Sequence, residues 1–218
     1  MSDSVKPRSY DTGRRAQRTR ATKQAVVAAA RGLFTTRGFA ETTMDAISQS
    51  SGVPIATVYR LFKTKTAILK QVLDEAVVGD DAPVPLGDRS VVKAAQAATD
   101  PTTMTAAWAR VARRVFDNTA TLRLVLRDAA AIDTEAAALQ ESFERQRKVG
   151  QARVASALAS KGFLAPGMKE SEARDVVYAL MSIDTYRILR LEQRWSGARY
   201  ERWLADAMFQ LLVSPHDH

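Results

Sequence analysis

The side chains best suited to binding a polyanion are concentrated in the first third of the chain. Residues 1–79 contain 13 lysines and arginines against 6 acidic residues, a net charge of +7, whereas the remaining 19 and 18 leave only +1. Basic residues beside a polyanion release its condensed counterions, so this segment is the candidate for nucleic-acid binding. A solvated basic surface and attraction to an anionic membrane are the alternatives that charge alone leaves open.

Groups that commonly catalyse reactions are sparse. Cysteine is absent, and both histidines, His216 and His218, lie within the last three residues, where nothing orients them. The sequence has no glycine-rich phosphate loop, no G-x-S-x-G and no H-E-x-x-H. We therefore expect no enzyme activity, no cofactor and no metal site. An acid–base pair assembled by folding and a helical adaptor that binds protein stay open as alternatives, but the adaptor leaves the basic first third unexplained.

Composition predicts a globular protein without a membrane partner. The 218 residues suffice for one large domain or two smaller ones, and an apolar fraction of 46% supports a packed core. The longest apolar runs, such as Ala25–Ala30, are far too short to cross a bilayer, and the N-terminus lacks the apolar stretch of a secretion signal. With no cysteine for disulfides, these features predict a cytoplasmic location.

The first helix is predicted after an irregular start. Residues 1–17 mix Ser, Asp, Gly, Pro and Arg without periodicity, which predicts a flexible basic arm. Apolar residues at helical spacing then predict a helix over about 18–37, with Gly38 as its C-cap.

Three further helices are predicted before residue 79. Thr42-x-x-Asp45 indicates the start of a short second helix, and Gly52 supplies a tight turn. Pro54 is suited to the start of a third helix over about 54–61, and Thr64 is placed to cap a fourth.

The second and third helices are predicted to form a helix-turn-helix unit. A helix enters the major groove of DNA only if its outer face is free, so its apolar residues must lie on one side. Val58 and Phe62, four residues apart, supply that inner side. The residues outside the Val58 stripe are Ile55, Thr57, Tyr59 and Arg60.

The longer sequence around this unit resembles the DNA-binding domain of the TetR family. The similar segments, in the same order and spacing over about residues 18–78, are Leu33-Phe34, Arg37-Gly38-Phe39, Thr42-Thr43-Met44-Asp45-Ala46-Ile47 and Gly52-Val53-Pro54-Ile55-Ala56-Thr57-Val58-Tyr59-Arg60-Leu61-Phe62-Lys63-Thr64-Lys65. Departures from the usual pattern are Ser48, Ser51, Pro54, Ala56 and Leu61. The departures argue against transferring a relative's operator sequence to this chain.

The resemblance implies a role in DNA binding for eight residues. Thr43, at the position of the family's helix-two cap, matches a phosphate contact, as do Tyr59 and Lys65, and Lys63 is placed to help them. Ile55, Ala56 and Thr57 occupy positions that face base edges, where the first two favour a thymine methyl group. Arg60 is predicted to reach either guanine or another phosphate. In the arm, Arg8, Arg14, Arg15, Arg18 and Arg20 either reach the DNA or form a solvated tail.

The rest of the chain is predicted to be helical after a linker over Gly79–Asp88. Helices are expected at about 90–98, 102–117, 119–130, 134–161, 171–192 and 198–213. The last two are strongly amphipathic, and the resemblance implies that they form a dimer interface. The predicted interface residues are Val177, Leu180, Ile188, Tyr200, Trp203, Leu204, Met208 and Leu211.

The middle helices are predicted to enclose a small-molecule effector. Candidate walls are Trp108, Phe116, Phe143 and Tyr178, although aromatic residues at this spacing fit an ordinary core equally well. Asp184 lies on an apolar stripe, so it should be paired, and Arg123, Arg127 and Arg187 are the candidate partners. We interpret Asp184 as part of an ion pair at an interface in preference to a ligand contact.

Together these features predict an all-α chain with an N-terminal helix-turn-helix DNA-binding domain and a C-terminal ligand-binding and dimerisation domain. The expected division is a basic arm over 1–17, the DNA-binding domain over 18–62, a connecting helix over 63–79 and the C-terminal domain over 80–218. The resemblance implies the function of a homodimeric repressor, which releases a palindromic operator in double-stranded DNA when a small molecule binds. A DNA-binding protein without ligand sensing is the alternative, beside the helical adaptor.

Overall fold

The computed structural model describes residues 9–79 and 86–214, with side chains described from residue 13 onward. Every regular element within these ranges is a helix, as the sequence predicts. The chain divides into two compact units, Met1–Val72 and Leu73–His218. Within the described part of the chain, no helix has the length and apolar character needed to span a membrane.

Four helices begin the chain. They are α1 (Ser9–Arg37), α2 (Met44–Ser51), α3 (Ile55–Phe62) and α4 (Lys65–Val78). The second, third and fourth begin within two residues of their predicted starts. The N–H of Ala67 donates to the Thr64 hydroxyl over 3.0 Å, which confirms Thr64 as the cap of α4.

The first helix begins earlier than predicted. Residues 9–17, expected to form a flexible arm, are helical, whereas residues 1–8 with Arg8 lie outside the described part. The prediction failed because residues 13–20 are all exposed and therefore carry no apolar stripe. Residues 14–20 contain only Arg, Ala, Gln and Thr, so an existing helix extends through them at little cost, and Gly13 is the one unfavourable residue of this segment.

The N-terminal unit packs its helices around a small apolar core. Val26 and Phe34 of α1, Ile47 of α2 and Val58 of α3 are fully buried. Each such side chain stabilises the fold by about 1.5–3 kcal/mol on burial. The turns between the helices use glycine where the backbone is left-handed, at Gly38 (φ 74°) and Gly52 (φ 67°).

The C-terminal unit contains the longest helices. Its elements are a 3₁₀ turn (Leu86–Asp88), α5 (Ser90–Ala97), α6 (Pro101–Ala130), α7 (Thr134–Ser160), α8 (Glu170–Leu180), α9 (Ile183–Tyr186), a π-helical segment (Arg187–Glu192) and α10 (Gly197–Leu212). Their buried core includes Trp108 and Phe116 of α6, Leu158 of α7 and Leu204 of α10.

One helix replaces the two predicted over 102–117 and 119–130. The apolar stripe of α6 continues through Ala112, Phe116 and Ala120, each four residues after the last and each buried. The Thr119 hydroxyl donates to the carbonyl of Val115 over 2.7 Å, so its polar group is satisfied within the helix. Nothing in the segment therefore ends the helix.

The helix predicted over 171–192 is interrupted instead. It ends at Leu180, and Ser182 caps a new turn by accepting a hydrogen bond from the N–H of Thr185 over 3.0 Å. The break frees the carbonyl of Met181, which accepts a hydrogen bond from the Gln151 amide nitrogen over 2.5 Å. The break is thus stabilised by a side chain from α7, which a reading of the local sequence does not include.

Candidate functional site

The third helix presents a polar face to the outside of the N-terminal unit. Val58 and Phe62 are buried against the core, as predicted, and Tyr59 is 49% exposed. Ala56, Arg60 and Lys63 are exposed, whereas Ile55 and Thr57 are half-buried. Ala56, Tyr59, Arg60 and Lys63 therefore leave the side of α3 opposite Val58 and Phe62 open to solvent.

The start of α2 is fixed by Thr43, at the position that the resemblance implies. The N–H of Ala46 donates to the Thr43 hydroxyl over 3.0 Å, and Thr43 is exposed. The capping role inferred from Thr42-x-x-Asp45 is therefore wrong. Thr42 is fully buried and donates to the carbonyl of Gly38 over 2.7 Å, which closes the preceding turn.

Two serines that depart from the family pattern stabilise the turn between α2 and α3. The Ser48 hydroxyl donates to the carbonyl of Val53 over 2.7 Å. The Ser51 hydroxyl donates to the carbonyl of Ser48 and accepts from the N–H of Val53, over 3.2 and 3.3 Å. This network positions α3 relative to α2, a role that sequence analysis missed because the pairing depends on the turn geometry.

Lys65 is held within the domain. Its ammonium nitrogen donates to the carbonyl of Phe39 over 2.6 Å and lies 4.0 Å from the centroid of the Phe39 ring. The side chain is half-buried. These contacts join the start of α4 to the loop after α1, so the Lys65 side chain has a structural role in the N-terminal unit.

The turn after α3 is backbone-strained at Lys63. This residue has φ 60° and ψ −50°, and the N–H of Thr64 donates across it to the carbonyl of Phe62 over 2.6 Å. The pattern is that of a classic γ-turn, a rare and strained conformation for a residue with a side chain. The turn leaves the Lys63 side chain exposed at the end of the polar face.

The predicted cationic arm is partly an exposed helical surface. Arg14, Arg15, Arg18 and Arg20 lie on the first turns of α1, and all four are exposed. Whether they touch DNA stays a prediction. Their charge adds to the positive character of the unit that contains α3.

A cavity of about 270 Å³ lies in the C-terminal unit, and it brings together three of the four predicted aromatic walls. Trp108, Phe116 and Phe143 line it, whereas Tyr178 is not among the lining residues. Aliphatic side chains complete the wall, from Val77, Leu86, Val92, Val111, Ala112, Val115, Val154 and Met181. The cavity therefore has the apolar character expected of a small-molecule site.

The polar residues at the cavity are mainly basic. Arg123, Arg147 and Arg153 line it together with Gln146 and Gln151. Sequence analysis missed their location, because helices α6 and α7 bring residues together that are about 20 to 30 positions apart. The only sequence signal was the presence of arginine in otherwise amphipathic helices.

Glu144 organises two of these arginines. One carboxylate oxygen accepts from Arg123 over 2.7 Å, and the other accepts from Arg147 Nε over 2.8 Å and from the Tyr178 hydroxyl over 3.0 Å. Burial raises the pKa of Glu144, but the hydrogen bonds and positive charges of these partners outweigh it and hold the pKa below its usual range. Tyr178 thus supports the polar cluster instead of forming a cavity wall.

Arg147 also connects this cluster to the break after α8. Its Nη1 donates to the carbonyls of Tyr178 and Met181 over 3.2 and 3.4 Å, and its guanidinium lies 3.6 Å from the Tyr178 ring centroid. Cations are favoured at helix C-termini, where carbonyl groups are unsatisfied. The polar end of the cavity is therefore built into the end of α8.

Asp184 pairs with arginines of its own chain, as an ion pair and away from the cavity. Its carboxylate lies 3.2 Å from Arg127 and 3.7 Å from Arg187. It is 60% exposed, and the cavity lining does not include it. Of the three predicted partners, Arg123 is instead bound to Glu144.

A second polar cluster lies between α6 and α9. The Tyr186 hydroxyl donates to Asp117 over 2.6 Å, and Arg113 and Arg190 lie 3.5 and 3.6 Å from the same carboxylate. Burial, followed by the effect of Asp117, raises the pKa of Tyr186 to about 12, so the phenol stays protonated at neutral pH. The neutral donor ties α9 to α6.

Four of the predicted interface residues belong to the chain's own core. Val177, Tyr200, Leu204 and Met208 are fully buried, so they have no surface to offer to a partner, and their assignment to an interface is corrected. The side chains that remain accessible are Leu180 and Trp203, which are half-buried, and Ile188 and Leu211, which are exposed. Leu191, 46% exposed, joins them and was missed because the π-helical turn shifts its direction.

The described residues contain no group of three or more His, Asp or Glu side chains placed to hold a metal ion. His216 and His218 lie outside the described part.

Comparison with known proteins agrees with this geometry. Residues 26–72 match the model of the bacterial regulatory proteins of the tetR family. No curated protein matches the sequence.

Solved structures share the fold over nearly the whole chain. A protein from Mesorhizobium loti described as a TetR-family transcriptional regulator is 19% identical, with a TM-score of 0.65 over 90% of this chain and 99% of that chain. NalD of Pseudomonas aeruginosa, the secondary repressor of the MexAB-OprM multidrug efflux pump, is 19% identical, with a TM-score of 0.63 over 89% and 97%. A protein from Saccharomonospora viridis described as a transcriptional regulator, in complex with choline, is 15% identical, with a TM-score of 0.68 over 89% and 98%.

Proposed function

We propose that this chain, which has a TetR-family DNA-binding domain at residues 26–72 and the fold of TetR-family transcriptional regulators, is a homodimeric, ligand-responsive repressor. The observation that carries the proposal is the free outer face of α3, opposite buried Val58 and Phe62. A short helix held from one side and open on the other is the shape that enters a major groove. We assign the protein no enzyme activity and place it in the cytoplasm with the DNA it regulates.

The residues of the outer face are assigned to two kinds of DNA contact. Tyr59 and Lys63 donate to phosphates, as does the exposed start of α2 at Thr43, and these contacts set the position of the domain on the duplex. Ile55, Ala56 and Thr57 face the base edges, and Arg60 extends from the same side to a guanine or a phosphate. Lys65 is assigned a supporting role as well as a phosphate contact, since its ammonium group binds Phe39.

Dimerisation is proposed through the accessible apolar side chains of α8, the π-helical segment and α10. Leu180, Ile188, Leu191, Trp203 and Leu211 supply them. Large apolar side chains left exposed on neighbouring elements are typical of protein–protein contact. A dimer also explains how an eight-residue helix reads enough DNA, because two copies span a palindromic site one helical turn apart.

The cavity in the C-terminal unit is proposed as the effector site. Its apolar walls with a few polar groups suit a small organic molecule. The related fold from S. viridis was solved in complex with choline, which shows that a protein of this fold binds a small molecule. An effector shifts the dimer towards a state with a different separation of the α3 helices only as far as it prefers that state.

Selection of bound duplexes from random DNA tests the DNA-binding half. We expect an enriched palindromic motif, and footprints on the selected duplex that disappear when an effector is added. Recovery of no motif would contradict DNA reading and favour a helical adaptor. A footprint that persists with every candidate effector would contradict only the proposal that the protein responds to a ligand.

Sedimentation velocity tests the interface. Leu211→Glu should convert a dimer to a monomer, because it introduces a charge into a desolvated contact. Ile132→Glu is the matched control, since Ile132 is 69% exposed and lies outside α8–α10. A wild-type monomer, or equal behaviour of the two variants, would contradict the proposed interface.

A further inference from the structure

We infer that the effector is an amphipathic anion, a carboxylate attached to an apolar body, and that Arg123 binds its carboxylate. That the bound molecule is an effector rests on the proposed function. The site itself is defined by the residues that line the cavity.

The charge of the lining favours an anion. Three arginines, Arg123, Arg147 and Arg153, line the cavity, and among the described residues that line it there is no aspartate or glutamate. Glu144, the carboxylate that pairs with Arg123 and Arg147, does not line the cavity. Two guanidinium groups that share one carboxylate leave an excess positive charge beside a largely apolar space. Buried charges are stable only when paired, so a bound anion completes the balance.

Arg123 is the residue best placed to bind the carboxylate of the effector. Its side chain is 11% exposed, and among the described residues its hydrogen bonding is confined to one contact, from Nη2 to Glu144 over 2.7 Å. A guanidinium carries five N–H donors, so most of those of Arg123 are left for a ligand. Burial lowers the pKa of Arg123, although not enough to remove its charge. A carboxylate can accept two parallel hydrogen bonds from such a group.

Arg147 and Gln151 are already engaged. Arg147 donates to Glu144, Gln151 and two backbone carbonyls, and the Gln151 amide donates to Met181. Arg147 contributes positive potential, and the hydrogen bonds of both side chains hold the shape of the polar end of the cavity. At another part of the lining, Arg153 lies against Gly87, where a Cβ atom would collide with its guanidinium. Arg153 is exposed, so it is suited to the entrance.

The other lining residues of the cavity favour a ligand whose body is apolar. Trp108, Phe116 and Phe143 provide aromatic surface, and the volume of about 270 Å³ is near the lower end of ligand pockets, about 300–1,000 Å³. A cation such as choline, which the S. viridis protein binds, is disfavoured beside three arginines.

Calorimetric titration of the full-length protein with a matched series of probes tests the inference. The probes are 4-phenylbutyrate, 4-phenylbutanol and 4-phenylbutylamine, which differ in the charge of one end, with octanoate as a second carboxylate and choline as a second cation. We expect both carboxylates to bind at least tenfold more tightly than the alcohol, and the two cations not to bind. Binding by neither carboxylate, or equal binding by the alcohol, would overturn the inference.

Substitutions test whether Arg123 binds the carboxylate of the ligand. Arg123→Gln should weaken carboxylate binding at least tenfold, and Arg123→Lys should restore part of it, a rescue that a purely structural role does not predict. Arg127→Gln is the control, since Arg127 lies one turn further along α6, binds Asp184 and does not line the cavity. Equal losses in Arg123→Gln and Arg127→Gln would contradict the assignment.

The same titration with the selected DNA present separates the two proposals. Carboxylate binding that leaves DNA affinity unchanged would refute the sensing half of the proposed function and leave the site intact. Release of DNA by the alcohol or by choline but not by either carboxylate would support a sensor and overturn the inferred ligand class.

Discussion

The two units of this chain direct their polar residues in opposite ways. In the N-terminal unit, Tyr59, Arg60 and Lys63 extend outward from a short helix and make no side-chain hydrogen bond or ion pair with the described residues. In the C-terminal unit, Arg123 and Arg147 turn inward, 11% and 12% exposed, around a carboxylate and a cavity. The first arrangement suits a large, rigid, charged partner, and the second suits a small molecule that must be desolvated. The comparison implies that each surface can be altered without loss of the other.

The largest expected effect separates the stability of the two units. Ile47→Ala removes a fully buried side chain from the N-terminal core and should lower the free energy of unfolding of that unit by about 2–5 kcal/mol. DNA binding should be lost, while carboxylate binding is retained. The three tryptophans, Trp108, Trp195 and Trp203, all lie in the C-terminal unit, so their fluorescence reports that unit alone during urea unfolding.

Circular dichroism in the same titration reports both units. An early transition in circular dichroism without a matching change in fluorescence is the expected result for Ile47→Ala. Ile47→Val is the matched control, with an expected loss of about 0.5–1.5 kcal/mol. Simultaneous loss of both signals at one urea concentration would show that the units do not unfold separately.

The next effect concerns the half-buried carboxylate of Glu144. Glu144→Gln should lower the free energy of unfolding of the C-terminal unit by about 1–3 kcal/mol at pH 7, because two arginines lose their charged partner. Since the folded pKa of Glu144 is lowered, its stabilising effect is full above the unfolded pKa, about 4.3, and is lost as the pH falls through the folded value. The difference between wild type and variant should therefore shrink below about pH 4.

Glu144→Gln also sharpens the contrast between the units. With no competing carboxylate on Arg123, affinity for 4-phenylbutyrate should rise, while DNA affinity without ligand stays unchanged. Glu141→Gln is the control, since Glu141 is 74% exposed on the same helix. A constant difference in stability from pH 7 to pH 3, or weaker binding of the carboxylate probe, would contradict the account.

A smaller effect is expected at the outer face of α3. Tyr59→Ala should weaken binding to all DNA sequences about tenfold, through the loss of one phosphate contact worth roughly 1.4 kcal/mol. Its effect on stability should be slight because the ring is 49% exposed. Tyr59→Phe isolates the hydroxyl, and Ile55→Ala should change the preferred sequence instead of the general affinity. Anisotropy titrations of labelled duplexes measure both, and an unchanged affinity of Tyr59→Ala would remove the phosphate contact.

The smallest effect tests the strained turn. Lys63→Gly relieves backbone strain at φ 60° but loosens the unfolded chain, so we expect a net gain of about 1 kcal/mol in the stability of the N-terminal unit. DNA affinity should fall slightly, since one cation is lost. Thermal unfolding followed by circular dichroism measures the gain, with Lys63→Ala as control. Equal stability of the glycine and alanine variants would show that the turn stores no strain.

The sequence predicts the DNA-binding face better than the polar end of the cavity, because the first depends on local spacing and the second on packing between distant helices. The face of α3 is set by contacts a few residues apart, so the spacing of Val58 and Phe62 was sufficient to place Tyr59 and Arg60 outside. The polar end of the cavity is set by packing of α6, α7 and α8, which no local pattern records. Apolar periodicity marks Trp108, Phe116 and Phe143, which line the cavity, but the sequence predicts Arg123 as a partner of Asp184 and Tyr178 as a wall, and the structure places both at Glu144.

The interface prediction failed in part for a related reason. Amphipathicity identifies a buried side of a helix without identifying what buries it. Tyr200 and Leu204 face the chain's own α6 and core, whereas Leu211 and Ile188 remain accessible. The break at Ser182 and the π-helical turn after Tyr186 interrupt the regular spacing, and both receive contacts from other helices, from Gln151 of α7 to Met181 and from Asp117 of α6 to Arg190.

Hydroxyl-radical footprinting on a selected duplex tests the central claim most directly. If two copies of α3 read successive major grooves, wild-type protein should protect two patches centred one helical turn apart, about 34 Å, and Tyr59→Ala should weaken both equally. A single protected patch, or two patches that persist unchanged in Tyr59→Ala, would contradict the account.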